Sequence, residues 1–96
     1  MYMELKNNII SKIVTNDAYV IFYVPECPYS MKALNLLREK KVKYKGYNIH
    51  NLGGMKFLLE TFNENKEQIN FNPDHLTKPV IFYNGKYLGG YSDLKI

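Results

Sequence analysis

Seven consecutive residues, Ala18-Tyr19-Val20-Ile21-Phe22-Tyr23-Val24, carry no charge and stop at Pro25. A run this short, this apolar and this rich in β-branched and aromatic side chains reads as a strand buried on both faces of a sheet. Such a strand needs a helical layer above and another below. The flanking sequence offers them. Leu5, Ile9, Ile10, Ile13 and Val14 recur at helical spacing, which predicts an amphipathic helix over roughly Met3 to Thr15, broken by Asn16-Asp17. Pro25 closes the strand, and Pro28 stands where a helix can begin, because a first turn does not need the missing N–H. Met31, Leu34 and Leu37 mark the apolar face of that second helix, which runs to about Lys41.

Alternation over Val42 to Ile49 predicts a second strand. Gly53-Gly54 then precede another helical pattern, Met55, Leu58, Leu59 and Phe62. Asn63 to Thr77 is polar and irregular and reads as the end of that helix and a loop. Pro79 to Tyr83, the turn Asn84-Gly85, and Lys86 to Leu88 give a hairpin signal with a strong turn dipeptide. The order is α-β-α-β-α-β-β. Its first two strands should be parallel with a right-handed crossover, and its last two antiparallel. The expected class is therefore α/β, one domain over 1–96, with a mixed four-stranded sheet flanked by helices on both faces. A helix usually packs over such a final hairpin. Only Tyr91 to Ile96 remains to supply it, so a truncated or very short C-terminal helix is expected.

Composition narrows the function classes. Ninety-six residues with 46% hydrophobic content suit a single modest core. No run of eighteen or more apolar residues is present, so no membrane partner is expected, and Met1 to Asn8 lacks the pattern of a secretory leader. The net charge of +4 comes almost entirely from scattered lysines, without a polybasic block, so nucleic acid is not an expected partner. One cysteine can close neither an internal disulfide nor a zinc cage, which favours a reducing, cytoplasmic setting. His50 and His75 have no partner at metal-binding spacing; both read as surface residues, and no metal is expected. Tyr19, Tyr23, Tyr44 and Tyr47 read as packing rather than as a base-stacking platform.

That single cysteine, Cys27, falls between the end of the buried strand and the first turn of a helix. A thiolate there faces backbone N–H groups without partners and the positive end of the helix dipole, both of which favour the nucleophilic form. A buried, inert thiol is the competing reading of the same position.

Three stretches carry a family resemblance. Cys27-Pro28-Tyr29-Ser30, followed by Met31-Lys32-Ala33, resembles the active-site stretch of the glutaredoxins, usually Cys-Pro-Tyr-Cys with a basic residue and alanine just beyond. Thr77-Lys78-Pro79-Val80 resembles that family's Thr-Val-Pro loop, whose proline is cis and faces the active-site sulfur. Gly89-Gly90-Tyr91-Ser92-Asp93-Leu94 resembles its Gly-Gly-x-Asp/Ser-Asp-Leu stretch, which holds the glutamyl end of glutathione. The resemblance covers about Ala18 to Asp93. It implies a thioredoxin-like fold, glutathione as co-substrate, glutathionylated or disulfide-containing proteins as partners, and a monomer. It also implies Cys27 as the catalytic residue with Pro28, Tyr29 and Ser30 beside it. Tyr29, Thr77, Lys78, Pro79, Gly90, Tyr91, Ser92 and Asp93 are then the glutathione-binding set. Backbone groups of Lys78 would pair with the cysteinyl part as an added strand, and the N–H groups of Tyr91 and Ser92 would face a carboxylate. Asp93 would accept from the ligand's α-ammonium; the bland alternative is that Ser92 or Asp93 merely caps a helix.

The chain departs from the family pattern at three positions. Ser30 stands where dithiol members carry a second cysteine, which leaves the monothiol route: Cys27 takes glutathione from a mixed disulfide and a second glutathione restores the thiol. Val24 occupies a place where the family often has a lysine for a glutathione carboxylate, a charge that Lys78 could supply from across the groove. Glu26, next to the thiol, should oppose its ionisation. Two rival functions remain open at this point. One is a carrier in which two chains and two glutathiones hold a [2Fe–2S] cluster, although members with that role usually have Gly-Phe in place of Pro28-Tyr29. The other is a weakly catalytic thioredoxin-fold interaction module.

Overall fold

A computed structural model describes the backbone of residues 2–96 and side chains from residue 3; Met1, which begins both the expected domain and the stretch read for a leader, lies outside the described residues. Helix α1 (Tyr2–Val14) leads through an Asx turn, in which Asn16 Oδ1 accepts the Ala18 N–H at 2.9 Å, into β1 (Tyr19–Tyr23). After β1 come α2 (Pro28–Glu39), β2 (Tyr44–Asn48), a 3-10 turn (Ile49–Leu52), α3 (Gly54–Glu64), α4 (Lys66–Ile69), β3 (Val80–Tyr83), β4 (Lys86–Gly89) and a last 3-10 turn (Tyr91–Asp93). The sheet order is β2-β1-β3-β4, with β1 parallel to β2 and antiparallel to β3, and β3 antiparallel to β4. The expected mixed four-stranded α/β sheet is the observed one. Its last hairpin turns at Asn84-Gly85, both with positive φ (52° and 82°), as a two-residue primed turn requires.

The period of two along β1 and β3 divides the apolar residues between two layers. Val20, Phe22, Val80 and Phe82 face α1 and α3 and pack with Ile9, Ile13, Leu58 and Phe62. Ile21 and Ile81 face the other way, onto Ala33, Leu34 and Leu37 of α2. Both faces of β1 are covered, and its three central residues are at most 1% exposed. Phe22, Phe62 and Phe82 meet in mutual edge-on contacts at 5.0–5.8 Å and form the centre of the larger layer. The tyrosines do serve as packing, as expected, but half-buried at the margins: Tyr47 stacks on Phe22 at 5.7 Å, and Tyr19 lies against Tyr83 at 4.4 Å.

Four expectations need correction. Met31, assigned to the apolar face of α2, is exposed; the buried stripe is Ser30, Ala33, Leu34 and Leu37, so a serine occupies the place expected of an apolar residue. Val14 at the end of α1 is exposed as well. Strand β2 is shorter than expected, since Asn48 Oδ1 accepts the His50 N–H at 2.9 Å and turns the chain into a 3-10 turn. Asn63 to Thr77 is not loop alone: α4 lies within it, and Ile69 (0% exposed) and Phe71 (5%) pin it to the larger layer. Among the described residues no helix is long and apolar enough to cross a membrane.

Candidate active site

Cys27 caps the N-terminus of α2 in extended conformation (φ −89°, ψ 119°), with Pro28 in the first turn. Its own N–H donates to Val24 O at 3.0 Å, which closes a tight turn from β1, and its carbonyl accepts the Met31 N–H at 3.1 Å. The side chain makes no cap bond to the helix, and the half-buried cysteine is in no disulfide. Burial pushes the thiol pKa up. The N–H of Ser30, the Ser30 hydroxyl, the N–H of Tyr29 and the Lys78 charge together outweigh that effect and hold the thiol below its ordinary value.

Ser30 is fully buried, one turn along from Cys27. Its Oγ accepts the Val24 N–H at 3.1 Å, which leaves the hydroxyl proton free to point at the sulfur. A buried hydroxyl must be paired; the Val24 N–H supplies the pairing of this one. Val24, at 7% exposure, cannot present anything to a ligand. The exposed Glu26 carboxylate turns to His50 Nε2, at 3.1 and 3.2 Å. Its own backbone N–H, against some desolvation, and then His50 and Lys78 hold that carboxyl below its usual range.

Opposite the sulfur, the Lys78–Pro79 peptide bond is cis, and Cys27 Sγ donates to the Lys78 carbonyl oxygen at 3.6 Å. Beyond it, at the end of β4, Gly90 N–H donates to Asp93 Oδ2 at 3.0 Å while the Asp93 N–H donates back to Gly90 O at 3.1 Å. Asp93 is thus a cap, and its second oxygen stays open to the surface. The turn also fixes its neighbour: Gly89 has φ +142°, and a Cβ there would overlap the Asp93 carboxylate. The first N–H groups of a helical turn have no acceptor within it, so those of Tyr91 and Ser92 stand at its open end.

These segments enclose a groove of about 420 Å³ lined by Tyr29, His75, Thr77, Lys78, Pro79, Gly90, Tyr91, Ser92 and Asp93. All eight residues expected around a glutathione line it. Cys27 stands at its rim beside Lys78 rather than in the lining. Tyr29 is 59% exposed, 6.2 Å from the Tyr91 ring, and Lys32 Nζ lies 5.4 Å from its ring centre. The ninth residue, His75, is a correction. It is not a surface residue but half-buried, between the Thr77 carbonyl at 2.7 Å and Tyr87 Oη at 2.6 Å. No spacing rule could have found it, because one partner is a backbone atom and the other lies on β4. His50, by contrast, is exposed as expected. Among the described residues no cluster of histidine, cysteine and carboxylate side chains could hold a metal ion.

The glutaredoxin family model matches residues 19–88, a span that includes Cys27 and Pro79. A probable glutaredoxin of Acanthamoeba polyphaga mimivirus is 49% identical over 89 residues, which cover 90% of this chain and 84% of that protein. The crystal structure of oxidised glutaredoxin 2 from Chlamydomonas reinhardtii is similar at a TM-score of 0.70 and 25% identity, covering 96% of this chain and 79% of that one. A buckwheat glutaredoxin–glutathione complex is similar in fold at a TM-score of 0.72 and 17% identity, covering 96% and 76%.

Proposed function

The chain belongs to the glutaredoxin family of thiol–disulfide oxidoreductases, and on that premise we propose that it removes glutathione from glutathionylated proteins by a monothiol cycle through Cys27. In the first half, the Cys27 thiolate attacks the glutathione sulfur of a protein–glutathione disulfide. A bond from Sγ to that sulfur forms, the old disulfide breaks, and the protein thiolate leaves and takes a proton from water. In the second half, the thiolate of a free glutathione attacks the glutathione sulfur held on Cys27. Oxidised glutathione departs and the Cys27 thiolate is restored. In sum, one mixed disulfide and one free glutathione become one protein thiol and one oxidised glutathione, and no second protein thiol takes part.

The observation that carries this reading is the shared wall: the carbonyl that touches the Cys27 sulfur belongs to Lys78, which also lines the groove. A glutathione sulfur brought to Cys27 can therefore have the rest of its tripeptide in that groove. The cysteinyl part would pair with the Lys78 backbone as an added strand. The glutamyl end would meet the open N–H groups of Tyr91 and Ser92 and the free oxygen of Asp93. Lys78, exposed and facing the thiol, would meet the remaining carboxylate, a charge Val24 cannot supply. The buckwheat protein of the same fold was crystallised as a glutathione complex, which supports the same ligand here. The proposed working unit is a monomer, and the cycle calls for a reducing, cytoplasmic compartment.

The test is turnover of a glutathionylated peptide by the unaltered chain, with reduced glutathione supplied. Release of the peptide thiol and of oxidised glutathione in equal amounts is expected. A folded protein that forms no glutathione adduct at Cys27 would refute the assignment.

A further inference from the structure

Between Phe71, which is buried, and Pro79 the chain crosses the surface. Asn72, Pro73, Asp74, Leu76, Thr77 and Lys78 are exposed, and His75 alone is half-buried. This stretch carries one wall of the groove, and among the described residues His75 is the side chain that ties it by hydrogen bond to the sheet. The imidazole Nε2 lies 2.7 Å from the Thr77 carbonyl oxygen. A carbonyl only accepts, so the hydrogen sits on Nε2 and that nitrogen donates. In the neutral ring Nδ1 is then the acceptor, and the Tyr87 hydroxyl, 2.6 Å away, donates to it. Burial and then the Asp93 charge push the Tyr87 pKa up, so this hydroxyl keeps the proton it gives.

Tyr87 is well placed to anchor. It lies on β4, its ring packs edge-on to Phe71 at 5.3 Å and to Phe82 at 6.1 Å, and the strand it belongs to ends in Gly89. The imidazole also lies beside the opposite wall: its Cε1 is 3.5 Å from where a Cβ on Gly90 would stand. One ring therefore meets the Thr77 carbonyl and the β4 tyrosine and lies beside the Gly90 turn.

We propose that His75 is a positioning residue of the glutathione site, which fixes the span between the Thr77–Pro79 wall and the Gly89–Asp93 turn. It touches no reacting atom. It sets the distance across which one tripeptide is held by both ends, where an error of an ångström weakens binding. This rests on the glutathione reading above. Because the first turn of α2 supplies most of what makes Cys27 acidic, the effect should fall on KM and spare the thiol.

Three variants test it beside the unaltered protein. His75→Phe keeps a ring and removes both hydrogen bonds. His75→Gln can restore a donor to Thr77 and an acceptor for Tyr87. Tyr87→Phe removes only the hydroxyl and keeps every ring contact. The readouts are KM and kcat for a glutathionylated peptide, the rate of Cys27 alkylation by iodoacetamide, and amide hydrogen exchange at residues 76–78. His75→Phe should raise KM about tenfold with kcat within about twofold, and Tyr87→Phe should raise KM about threefold. His75→Gln should recover most of the loss, alkylation should be equal in all four proteins, and the loop amides should exchange faster in His75→Phe. An unchanged KM in folded His75→Phe, or a His75→Gln no better than it, overturns the proposal. Should His75→Phe not fold, the KM of Tyr87→Phe decides in its place. If the unaltered protein does not turn the peptide over, the functional reading has failed, and equal loop exchange with and without His75 then removes the positioning role too.

Discussion

The two walls that meet at the Cys27 sulfur are built in opposite ways. The nucleophile's wall is the start of α2, and it is fastened from beneath by packing. Ser30, Ala33, Leu34 and Leu37 are all buried, and the hydroxyl of Ser30 ties the helix to the last residues before Cys27. The facing wall, Thr77 to Pro79, rides on an exposed stretch held by the His75 imidazole, by the Cys27 thiol at the Lys78 carbonyl, and by Phe71 and Pro79 at its ends. Burial fixes an atom against displacement in every direction, at the cost that any change there disturbs the core. Hydrogen bonds at the surface fix a backbone in one direction and leave its side chains free to vary. Under the proposed function, the atom that would react sits on the first kind of support, and the atoms that would bind glutathione sit on the second. Substitutions on the two sides should therefore divide cleanly: thiol reactivity and stability on one, substrate affinity on the other.

The largest expected effect tests whether reactivity lives on the packed wall at all. Cys27→Ser should reduce glutathione exchange to the uncatalysed background, measured with the same peptide, while the far-ultraviolet spectrum and melting transition stay close to those of the unaltered chain. Residual turnover would place the chemistry elsewhere and dissolve the comparison.

Next comes Ser30. In Ser30→Ala the Val24 N–H loses its acceptor, and leaving one buried donor unpaired costs about 1–3 kcal/mol of stability, readable by denaturant unfolding. The thiol also loses a donor, so the pH midpoint of alkylation should rise. Ser30→Cys sharpens the point. A second thiol one turn along should attack the Cys27–glutathione disulfide, so intact mass after oxidised glutathione should show an internal disulfide and no adduct, whereas the unaltered chain should carry one glutathione. A stable adduct on Ser30→Cys would mean that position 30 does not face the sulfur.

On the binding side, Asp93→Asn keeps an acceptor for Gly90 N–H but removes the charge offered to a ligand ammonium. KM for the glutathionylated peptide should rise by about fivefold with alkylation unchanged. A change in alkylation would show the two walls to be coupled.

Lys78→Gln should have the smallest effect and the one that crosses the divide, since Lys78 sits on the binding wall yet its charge lowers the thiol pKa. The alkylation midpoint should move up slightly, and the shift should shrink as salt is added. The same acidity has a sign in stability. A thiol held below its unfolded pKa favours the folded state above that unfolded value, and the contribution is lost as pH falls through the folded one. Cys27→Ser should therefore lose a small alkaline gain in stability that the unaltered chain shows, checked by melting at a series of pH values.

How much of this the sequence disclosed follows from the range of each interaction. The β1 run, Pro28 at the start of α2 and Asn84-Gly85 at the hairpin were legible, because each is specified by residues next to one another. The three motif stretches were legible for the same reason, and the fold brought them to one groove. Ser30 was legible as a missing cysteine but not as a core residue, since a periodicity read from hydrophobicity gives the stripe to Met31. Ile69 and Phe71 lie in a stretch whose polar composition hides two apolar anchors. The pairing of the Glu26 carboxylate with His50 is not legible from neighbouring residues, because β2 and the turn after it bring His50 alongside. His75 depends on a carbonyl and on a residue of another strand, so only the folded chain could reveal it.

The presence of a fully buried serine where a second thiol would sit has a consequence for what the protein can sense. With one sulfur, the proposed exchange consumes one oxidised glutathione and releases one reduced glutathione. The fraction of chains carrying an adduct is then governed by the simple ratio of reduced to oxidised glutathione. A two-cysteine site closing an internal bond releases two reduced molecules, so its oxidised fraction follows the square of one concentration over the other. Diluting the whole pool would shift the two-cysteine site toward its oxidised form and leave this one where it stood. Under the proposed exchange, Ser30 would thus make the chain a gauge of proportion, indifferent to amount.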